Sequence, residues 1–330
     1  MDLISSNNKF VVFGSTGMVG SAICRALKRN GYKNILKPSR KELDLLIYSE
    51  VKKWFINNKP NIVIIAAANV GGILANNKYP VEFLLHNLKI QNNIIEIAWE
   101  MDVKKLLFLG SSCIYPKFSK QPITEEELLT GSLETTNQWY ALAKITGIKL
   151  CEALKKQYNF NAISLMPTNL YGPGDNYHPT NSHVLPSLIR RFVEAKTLKK
   201  EKVTCWGSGT PLREFLHVDD LGNACVYVLE KWDLDQENAP KYLDGSPLSF
   251  LNVGTGVDIS IKELADLVAK YVKYDGEIDW DTTKPDGTPK KQLDIKRLRT
   301  LGWKPQISLE EGLKKTINLY QKEYLKRRDI

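Results

Sequence analysis

Two short stretches of the sequence carry side chains that could move a proton to or from a carbonyl oxygen. Ser111 follows the apolar run 105–109, where a buried strand is predicted to end. Tyr140 and Lys144 are spaced i, i+4 in a segment with helical periodicity, about 137–158, so they share one helix face. An ammonium lowers the pKa of a nearby phenol, which then exchanges a proton near neutral pH. The pattern indicates carbonyl/alcohol redox chemistry, which requires a hydride carrier.

A Tyr-x-x-x-Lys pair also occurs by chance on many helices, where the tyrosine packs and the lysine is solvated. The N-terminal stretch favours the chemical interpretation, because it provides a site for the hydride carrier. A predicted strand, 9–13, is followed by three glycines at three-residue spacing and then by a predicted helix, 21–30. Glycines in this context let the backbone approach a pyrophosphate at the helix N-terminus. The predicted loop consists of Gly14, Ser15, Thr16, Gly17, Met18, Val19 and Gly20.

The second predicted strand, 34–37, indicates which dinucleotide binds. NAD sites usually have an acidic residue near the end of this strand, whereas here the chain runs into Pro38, Ser39 and Arg40. Arg40 is placed to pair with a ribose 2′-phosphate, which favours NADP(H). Alternatively, Arg40 is a surface residue after a turn. Asp44 and Leu45 follow where the adenine is expected to bind.

Strands and helices alternate along the chain, which predicts an α/β fold with a Rossmann-like, doubly wound parallel sheet. After residue 167 the alternation loosens, and we predict a smaller α/β substrate-binding domain. The cofactor domain is predicted at 1–172 with a return at 214–256, and the substrate domain at 173–213 and 257–330. Further strands are predicted at 61–68, 161–166 and 250–253, and helices at 80–101, 184–196, 219–232, 260–271 and from 308. We predict a loop at 175–182 and irregular structure at 205–209 and 213–215.

Composition argues against a nucleic-acid-binding, membrane-spanning, secreted or metal-binding protein. With 330 residues, 43% hydrophobic and 25% charged, the chain has the balance of a soluble globular protein. Its net charge is +9, but acidic residues are interleaved and no nucleic-acid-binding motif is present, so part of the charge is expected to serve an anionic small molecule. We expect no membrane span and no secretory signal. Five scattered cysteines without C-x-x-C spacing predict free thiols, a cytoplasmic location and no metal site.

The glycine loop, Ser111 and the Tyr140/Lys144 pair together resemble the extended short-chain dehydrogenase/reductases that act on nucleotide sugars. Longer stretches narrow the resemblance to the GDP-L-fucose synthase family, whose members epimerise and reduce a GDP-4-keto-6-deoxy sugar with NADPH. The similarity covers about residues 9–320. These stretches are LGSSCIYPK, PTNLYGP, NSHV, WGSGTPLREFLHVDD, NVGTGVD and KPDGTP.

The resemblance implies a role for each matching residue. Tyr140 would donate the proton at C4, with Lys144 as its partner and ribose anchor and Ser111 as the third member. Cys113 and His183 would be the base and the acid of epimerisation. The NADP(H) site would further include Ala67, Leu109, Tyr140, Lys144, Pro167, Asn169, Leu170 and His183. The GDP-sugar site would include Ser112, Cys113, Asn169, Arg191, Trp206, Arg213 (on the diphosphate), Asp286 and Lys291. The outer faces of the helices at 80–101 and 137–158 would form a homodimer contact.

A 4-keto group acidifies the protons on C3 and C5, so a base and an acid can invert both centres through an enolate. A cysteine near a cation can act as the base, and histidine titrates near neutrality. Both residues also have a purely structural interpretation. Cys113 would then be a small apolar residue just past a strand end, and His183 would form a hydrogen bond at the start of a helix. Some family members carry an arginine inside the glycine loop where Ser15 and Thr16 stand here, which weakens the case for strict NADPH preference.

Two other functions remain open at this point. The first is a C4 reductase without epimerisation, acting on a GDP-4-keto hexose or heptose. The second belongs to another class: a catalytically silent, dinucleotide-binding sensor. The complete Ser/Tyr/Lys set argues against a sensor, which has no need to keep all three residues.

Overall fold

The structure is a computed structural model that describes residues 3–179, 181–284 and 286–328. Six positions lie outside the described residues, namely Met1, Asp2, Thr180, Pro285, Asp329 and Ile330. They include one position of the predicted 175–182 loop, one position of the KPDGTP stretch and both ends of the predicted domain ranges. Within the described part of the chain, no helix is both long and apolar enough to cross a membrane.

Twelve strands are found in the described residues. They are β1 (Phe10–Phe13), β2 (Ile35–Leu36), β3 (Ile62–Ile65), β4 (Lys105–Leu109), β5 (Ala162–Pro167), β6 (Asn169–Tyr171), β7 (Lys202–Trp206), β8 (Leu212–His217), β9 (Phe250–Val253), β10 (Asp258–Ser260), β11 (Glu277–Asp281) and β12 (Lys290–Lys291). The helices are α1 (Met18–Arg29), α2 (Tyr48–Asn58), α3 (Ile73–Lys78), α4 (Asn87–Glu100), α5 (Gln138–Tyr158), α6 (Val184–Thr197), α7 (Val218–Lys231), α8 (Ile261–Val272), α9 (Lys296–Thr300) and α10 (Leu309–Arg328).

Six parallel strands form the central sheet in the order β2-β1-β3-β4-β5-β9. All residues of β1, β3, β4, β5 and β9 are buried. Such continuous burial is typical of parallel strands covered by helices on both faces. The predicted Rossmann-like α/β fold is therefore confirmed. Because parallel strands end at one common edge, the segments that follow β1, β4 and β5 lie close together.

Two predictions in this sheet region need correction. The strand predicted at 61–68 ends at Ile65, because its partner β1 ends at Phe13 and the chain then turns at Gly14, whose φ is +83°. The helix predicted at 80–101 is interrupted: a π-helical turn, Glu82–His86, precedes α4.

Smaller sheets form beside the central one. β8 pairs antiparallel with β10 and parallel with β12 and β6, while β7 pairs with β11. Of the segments predicted to be irregular, 213–215 lies wholly in β8, and Cys205 and Trp206 lie at the end of β7, whereas 207–209 is outside the strands as predicted. The prediction failed because the partner strands β11 and β12 come from about 75 residues further along the chain, and pairing over such distances leaves no local signal.

Buried apolar residues form two clusters. The larger one surrounds the central sheet and includes Leu293, Ile295, Leu298 and Trp303. The smaller one joins α6, α8 and α10. The domain limits given above remain a prediction. The clusters favour a cofactor domain that also takes in the segment 293–303, which the prediction had assigned to the substrate domain.

Candidate active site

The chain leaves the carboxyl end of β4 through Gly110 and enters a short 3-10 helix, Ser112–Ile114. The Met166 thioether packs closely over Gly110, and a Cβ at this position would displace it. Ser111 caps the 3-10 helix, and its Oγ accepts a hydrogen bond from the Cys113 backbone N–H at 3.2 Å. This capping holds Ser111 and Cys113 close together at the edge of the sheet. Ser112, which lies between them, is buried and only 4% exposed.

Helix α5 carries Tyr140 and Lys144 to the same edge. Lys144 is 3% exposed, and its Nζ donates a hydrogen bond to the Leu109 carbonyl at 2.7 Å. The ammonium also lies 4.6 Å from the centroid of the Phe108 ring and 5.7 Å from that of Tyr140. Gly147 permits the close packing, since a Cβ there would press into the Phe108 ring. A single buried cation therefore links β4 to α5 beneath the Tyr140 ring.

Burial dominates the protonation of this pair. Desolvation lowers the pKa of Lys144 to about 7. Desolvation, and secondarily the neighbouring Cys113, raise the pKa of Tyr140 well above its usual value. The expectation that the ammonium lowers the phenol pKa is therefore wrong for this state, because both groups are withdrawn from water and the cost of charging each outweighs their attraction. A phenol that keeps its proton is suited to act as a proton donor.

Cys113 faces a cation supplied by a distant part of the chain. Lys291 Nζ lies 3.9 Å from Cys113 Sγ. Lys291 is in β12, where it pairs with Arg213 of β8. An ammonium at this distance stabilises negative charge on the sulfur. The family resemblance implies a substrate contact for Lys291, and the contact with Cys113 is additional to it, because β12 reaches the site only through non-local pairing.

The glycine loop has the shape that a dinucleotide pyrophosphate needs. A Cβ on Gly14 would collide with the backbone of Ala66 and Ala67, and one on Gly20 would collide with the Gly14 carbonyl. Helix α1 starts after Gly17, and no side chain caps its first N–H groups. Those groups are free to bind phosphate oxygens at the positive end of the helix dipole. The residues of this loop therefore fit NADP(H).

Other predicted cofactor residues surround the loop. Arg40 is exposed in the turn after β2, and its side chain has no salt bridge within the described part of the chain. Asp44 accepts a hydrogen bond from the Leu46 N–H at 3.0 Å, and the Leu45 carbonyl accepts one from Asn93 at 2.9 Å. Leu109, Pro167, Asn169 and Leu170 lie at or beyond the carboxyl ends of β4 and β5.

His183 occupies the N-cap position of α6, but its side chain makes no capping hydrogen bond. The helix-entry alternative therefore does not explain this residue. Its loop contacts the segment after β3, where the Gly72 N–H donates to the Asn181 carbonyl at 3.3 Å. Desolvation lowers the pKa of the imidazole. The described residues give no direct contact between His183 and Cys113, so the acid and base roles remain a prediction.

Two cations, the predicted substrate residue Arg191 and Lys284, flank the predicted substrate residue Trp206 and form with it a cationic group. The Arg191 guanidinium lies 5.1 Å from the Trp206 ring centroid, and Lys284 Nζ lies 5.9 Å from it. Trp206 is 52% exposed, which leaves one ring surface available for stacking. Cations beside an open aromatic ring suit a ligand that combines phosphates with a planar base.

Arg213, which is half-buried, and Asp286, which is exposed, belong to the same surface. Asp286 accepts hydrogen bonds from the Ser208 N–H at 2.9 Å and the Ser208 hydroxyl at 2.6 Å. Desolvation lowers the pKa of Arg213, and the nearby Asp286 carboxylate opposes this shift. A partly desolvated guanidinium binds an anion strongly. Proton-transfer groups and phosphate-binding groups are thus connected through β8 and β12.

Sequence reasoning missed two residues of the site, Lys284 and Glu214. Lys284 stands in the KPDGTP stretch, two positions before Asp286, so the motif itself was the available signal. Glu214 lies in the mixed polar and apolar segment 212–217, and its carboxylate is fully buried. Its neighbours were hidden because the segment was expected to be irregular.

Comparison with known proteins agrees with this geometry. The model of the NAD dependent epimerase/dehydratase family matches residues 10–240. A putative GDP-L-fucose synthase of Arabidopsis thaliana is 53% identical over 96% of this chain and 93% of its own length. The GDP-L-fucose synthase of Escherichia coli is 52% identical over 94% of this chain and 96% of its own.

Among solved structures, a GDP-mannoheptose C4 reductase from Campylobacter jejuni with NADP bound is similar, with a TM-score of 0.86 and 34% identity. The match covers 96% of this chain and 99% of that one. The family match spans more than half of the chain, and the glycine loop and Ser/Tyr/Lys group lie within it. The chain belongs to the NAD dependent epimerase/dehydratase family.

Proposed function

We propose that this protein is an NADPH-dependent 3,5-epimerase and 4-reductase of a GDP-4-keto-6-deoxy sugar, like the relatives named GDP-L-fucose synthase. The observation that carries the proposal is the Lys291 ammonium 3.9 Å from Cys113 Sγ, beside the Ser111, Tyr140 and Lys144 group. Ser111, Tyr140 and Lys144 suit the reduction of a ketone. Cys113 and Lys291 suit the removal of a proton from a carbon next to that ketone. Identity of 52–53% to two such synthases over almost the whole chain supports both halves.

For reduction, Tyr140 and Ser111 bind the C4 carbonyl oxygen. NADPH, when bound, supplies the hydride to C4. The Tyr140 hydroxyl gives its proton to the oxygen as negative charge develops there, and the Ser111 hydroxyl stabilises the same charge by a hydrogen bond. Lys144 holds the Tyr140 ring in position from below. Because the surroundings are desolvated, these hydrogen bonds are stronger than they would be in water.

For epimerisation, the Cys113 thiolate takes a proton from C3 or C5. The C–H bond breaks, its electron pair moves into the ring as an enolate, and the charge on the C4 oxygen is stabilised by Tyr140 and Ser111. His183 then returns a proton to the carbon. Lys291 stabilises the charge on Cys113 before the proton moves. The GDP moiety binds to the cationic group around Trp206, with the diphosphate on Arg213.

A C4 reductase without epimerisation is the second candidate, favoured by the structural similarity to the GDP-mannoheptose C4 reductase. Identity to that enzyme is 34%, against 53% to the Arabidopsis thaliana relative. The presence of both Cys113 and an adjacent cation favours the bifunctional enzyme. A silent sensor is disfavoured by the complete proton-transfer group.

We further propose a cytoplasmic homodimer. All five cysteines are unpaired, which suits a reducing compartment. Large apolar side chains are exposed on the turn before α4 and on α5: Val81 is 64% exposed, Leu85 44%, Trp139 37% and Leu142 39%. Exposed apolar side chains grouped on adjacent helices are typical of a subunit interface.

Replacement Tyr140→Phe should abolish reduction while NADPH still binds. The ring and its packing remain, but the proton is lost, so turnover should fall by about 10²–10⁴-fold. The assay follows NADPH absorbance with a GDP-4-keto-6-deoxy sugar, and NADPH affinity is measured by fluorescence. Tyr158→Phe, near the end of the same helix, is the matched control and should behave as wild type. Near-normal turnover of Tyr140→Phe would remove this residue from its role.

Cys113→Ser should abolish epimerisation and spare reduction. In heavy water, the wild-type protein should place deuterium at C3 and C5 of the keto sugar before reduction, because each enolate exchanges a proton with solvent. The serine hydroxyl is far less acidic, so labelling should disappear, whereas hydride transfer to the unepimerised ketone continues. Wild-type product without deuterium at either carbon would contradict the epimerase half and leave a C4 reductase.

Arg40→Ala should weaken NADPH binding and leave NADH binding nearly unchanged. Loss of a charged hydrogen bond to the 2′-phosphate should raise the NADPH dissociation constant by about tenfold or more. Both cofactors are titrated by fluorescence, with Lys33→Ala as a control for the loss of an exposed positive charge. An equal loss of affinity for NADH and NADPH would assign Arg40 a structural role.

The wild-type protein should have a dimer mass in light scattering at micromolar concentration. Leu142→Glu should convert it to a monomer, because a carboxylate would be buried in the interface. Leu243→Glu is the control, since Leu243 is 90% exposed and lies outside α4 and α5. A monomeric wild-type mass would overturn the dimer.

A further inference from the structure

Glu214 is a fully buried carboxylate that follows Arg213 in β8. Its Oε1 accepts hydrogen bonds from the Thr255 N–H at 2.5 Å and the Gly256 N–H at 2.8 Å, and its Oε2 accepts one from the Leu293 N–H at 2.9 Å. Three backbone donors from two distant segments thus converge on one side chain. An ionised carboxylate, which only accepts, matches this set of donors.

The backbone of Glu214 connects a third segment. Its carbonyl accepts hydrogen bonds from Thr168 Oγ1 at 3.2 Å and from Asn169 Nδ2 at 2.9 Å. Gly254 makes room for the carboxylate, because a Cβ at that position would collide with it. Glu214 is enclosed by these partners and has no place in the proton-transfer or phosphate-binding steps described above.

The consequence of this arrangement concerns Lys291. The strand β12 is only two residues long, Lys290–Lys291, so its own pairing with β8 is short. On one side, the chain after β12 is held by the Gln121 side chain, which accepts from the Gln292 N–H at 2.9 Å. On the other side it is held by Glu214, which binds Leu293 and ties it to β8. Backbone hydrogen bonds also hold this segment: the Ile123 N–H donates to the Gln292 carbonyl at 2.7 Å, and the Asp294 N–H donates to the Ile123 carbonyl at 2.8 Å. The Glu214 carboxylate is the tie that connects the segment to β8, so it contributes to the position of Lys291 Nζ relative to Cys113.

We propose that Glu214 is a positioning residue for epimerisation: its carboxylate helps to fix β12 so that the Lys291 ammonium stays beside the Cys113 sulfur. This inference rests on the proposed function. Glu214 acts through Lys291 and does not touch the sugar. Loss of its carboxylate should therefore affect proton removal at C3 and C5 far more than hydride transfer at C4.

Alkylation of Cys113 tests the coupling without turnover. Cys113 is partly exposed while the other four cysteines are buried, so iodoacetamide should react mainly at Cys113, and mass spectrometry of its peptide gives the rate. In Glu214→Gln an NH2 group replaces one acceptor oxygen and faces backbone N–H donors. We expect the rate at pH 7.5 to fall by roughly tenfold, the scale of losses on removing supporting hydrogen bonds around functional groups.

A double-mutant cycle distinguishes positioning from general damage. Lys291→Met should slow alkylation about as much as Glu214→Gln, and the double variant should be no slower, because one effect acts through the other. Glu214→Asp keeps the charge and should give an intermediate rate, while Glu201→Gln, an exposed carboxylate, should match wild type. Additive losses, or wild-type rates in both Glu214 variants, would overturn the proposal.

Turnover supplies the second readout. In Glu214→Gln, deuterium incorporation at C3 and C5 should fall by roughly tenfold, while KM for the GDP sugar and reduction of the already epimerised ketone change far less. An equal fall in the rates of deuterium incorporation and of reduction would indicate a merely structural role and overturn the proposal. Absence of deuterium in the wild-type product would refute the proposed epimerase itself, whereas normal labelling in both wild type and Glu214→Gln would refute only the role of Glu214.

Discussion

The hydrogen bond from Lys144 to the Leu109 carbonyl is the contact on which the geometry of the site depends. An ammonium that is almost completely buried must have a polar partner, and the last carbonyl of β4 provides it. Helix α5 can reach that carbonyl because Gly147 lets it pack closely against Phe108. Once Lys144 is fixed, Tyr140 is fixed one helical turn earlier, next to Cys113. The buried Lys144 ammonium needs a hydrogen-bond acceptor, and the acceptor that it finds also sets the position of Tyr140.

The two ends of the site differ in their electrostatics. Around Tyr140 and Lys144, desolvation keeps the phenol protonated and brings the pKa of the ammonium to about 7. Around the half-exposed Trp206 ring, the half-buried Arg191 and the exposed Lys284 supply positive charge. A nucleotide sugar has the matching polarity, because its diphosphate is anionic and its sugar ring is neutral. The ligand can therefore be oriented by charge at one end while proton transfer proceeds in a drier environment at the other.

The reducing and epimerising groups also differ in how firmly the fold holds them. Ser111, Tyr140 and Lys144 are attached to the central sheet and its covering helix. Lys291, in contrast, lies on a two-residue strand that is held by its short pairing with β8 and by hydrogen bonds of the following residues with Gln121, Ile123 and Glu214. A reductase needs only the first group. An epimerase acting on the same ketone needs the second as well, so its chemistry depends on packing between the two buried clusters.

The sequence by itself determined the parallel α/β sheet, the glycine loop and the Tyr140/Lys144 helix, because each has a periodic or local signal. Buried parallel strands are apolar on both faces, helical neighbours recur every three to four residues, and a tight phosphate loop requires glycine. Motif resemblance added Cys113, His183 and the substrate residues. Only the tertiary structure decided that β7 and β8 are strands, that Lys291 lies against Cys113, and that Glu214 joins three segments. Those features arise from pairing and hydrogen bonds between residues about 40 to 180 positions apart, which no local pattern encodes. The pKa values of Tyr140 and Lys144 were likewise decided by burial, a property of the packed molecule.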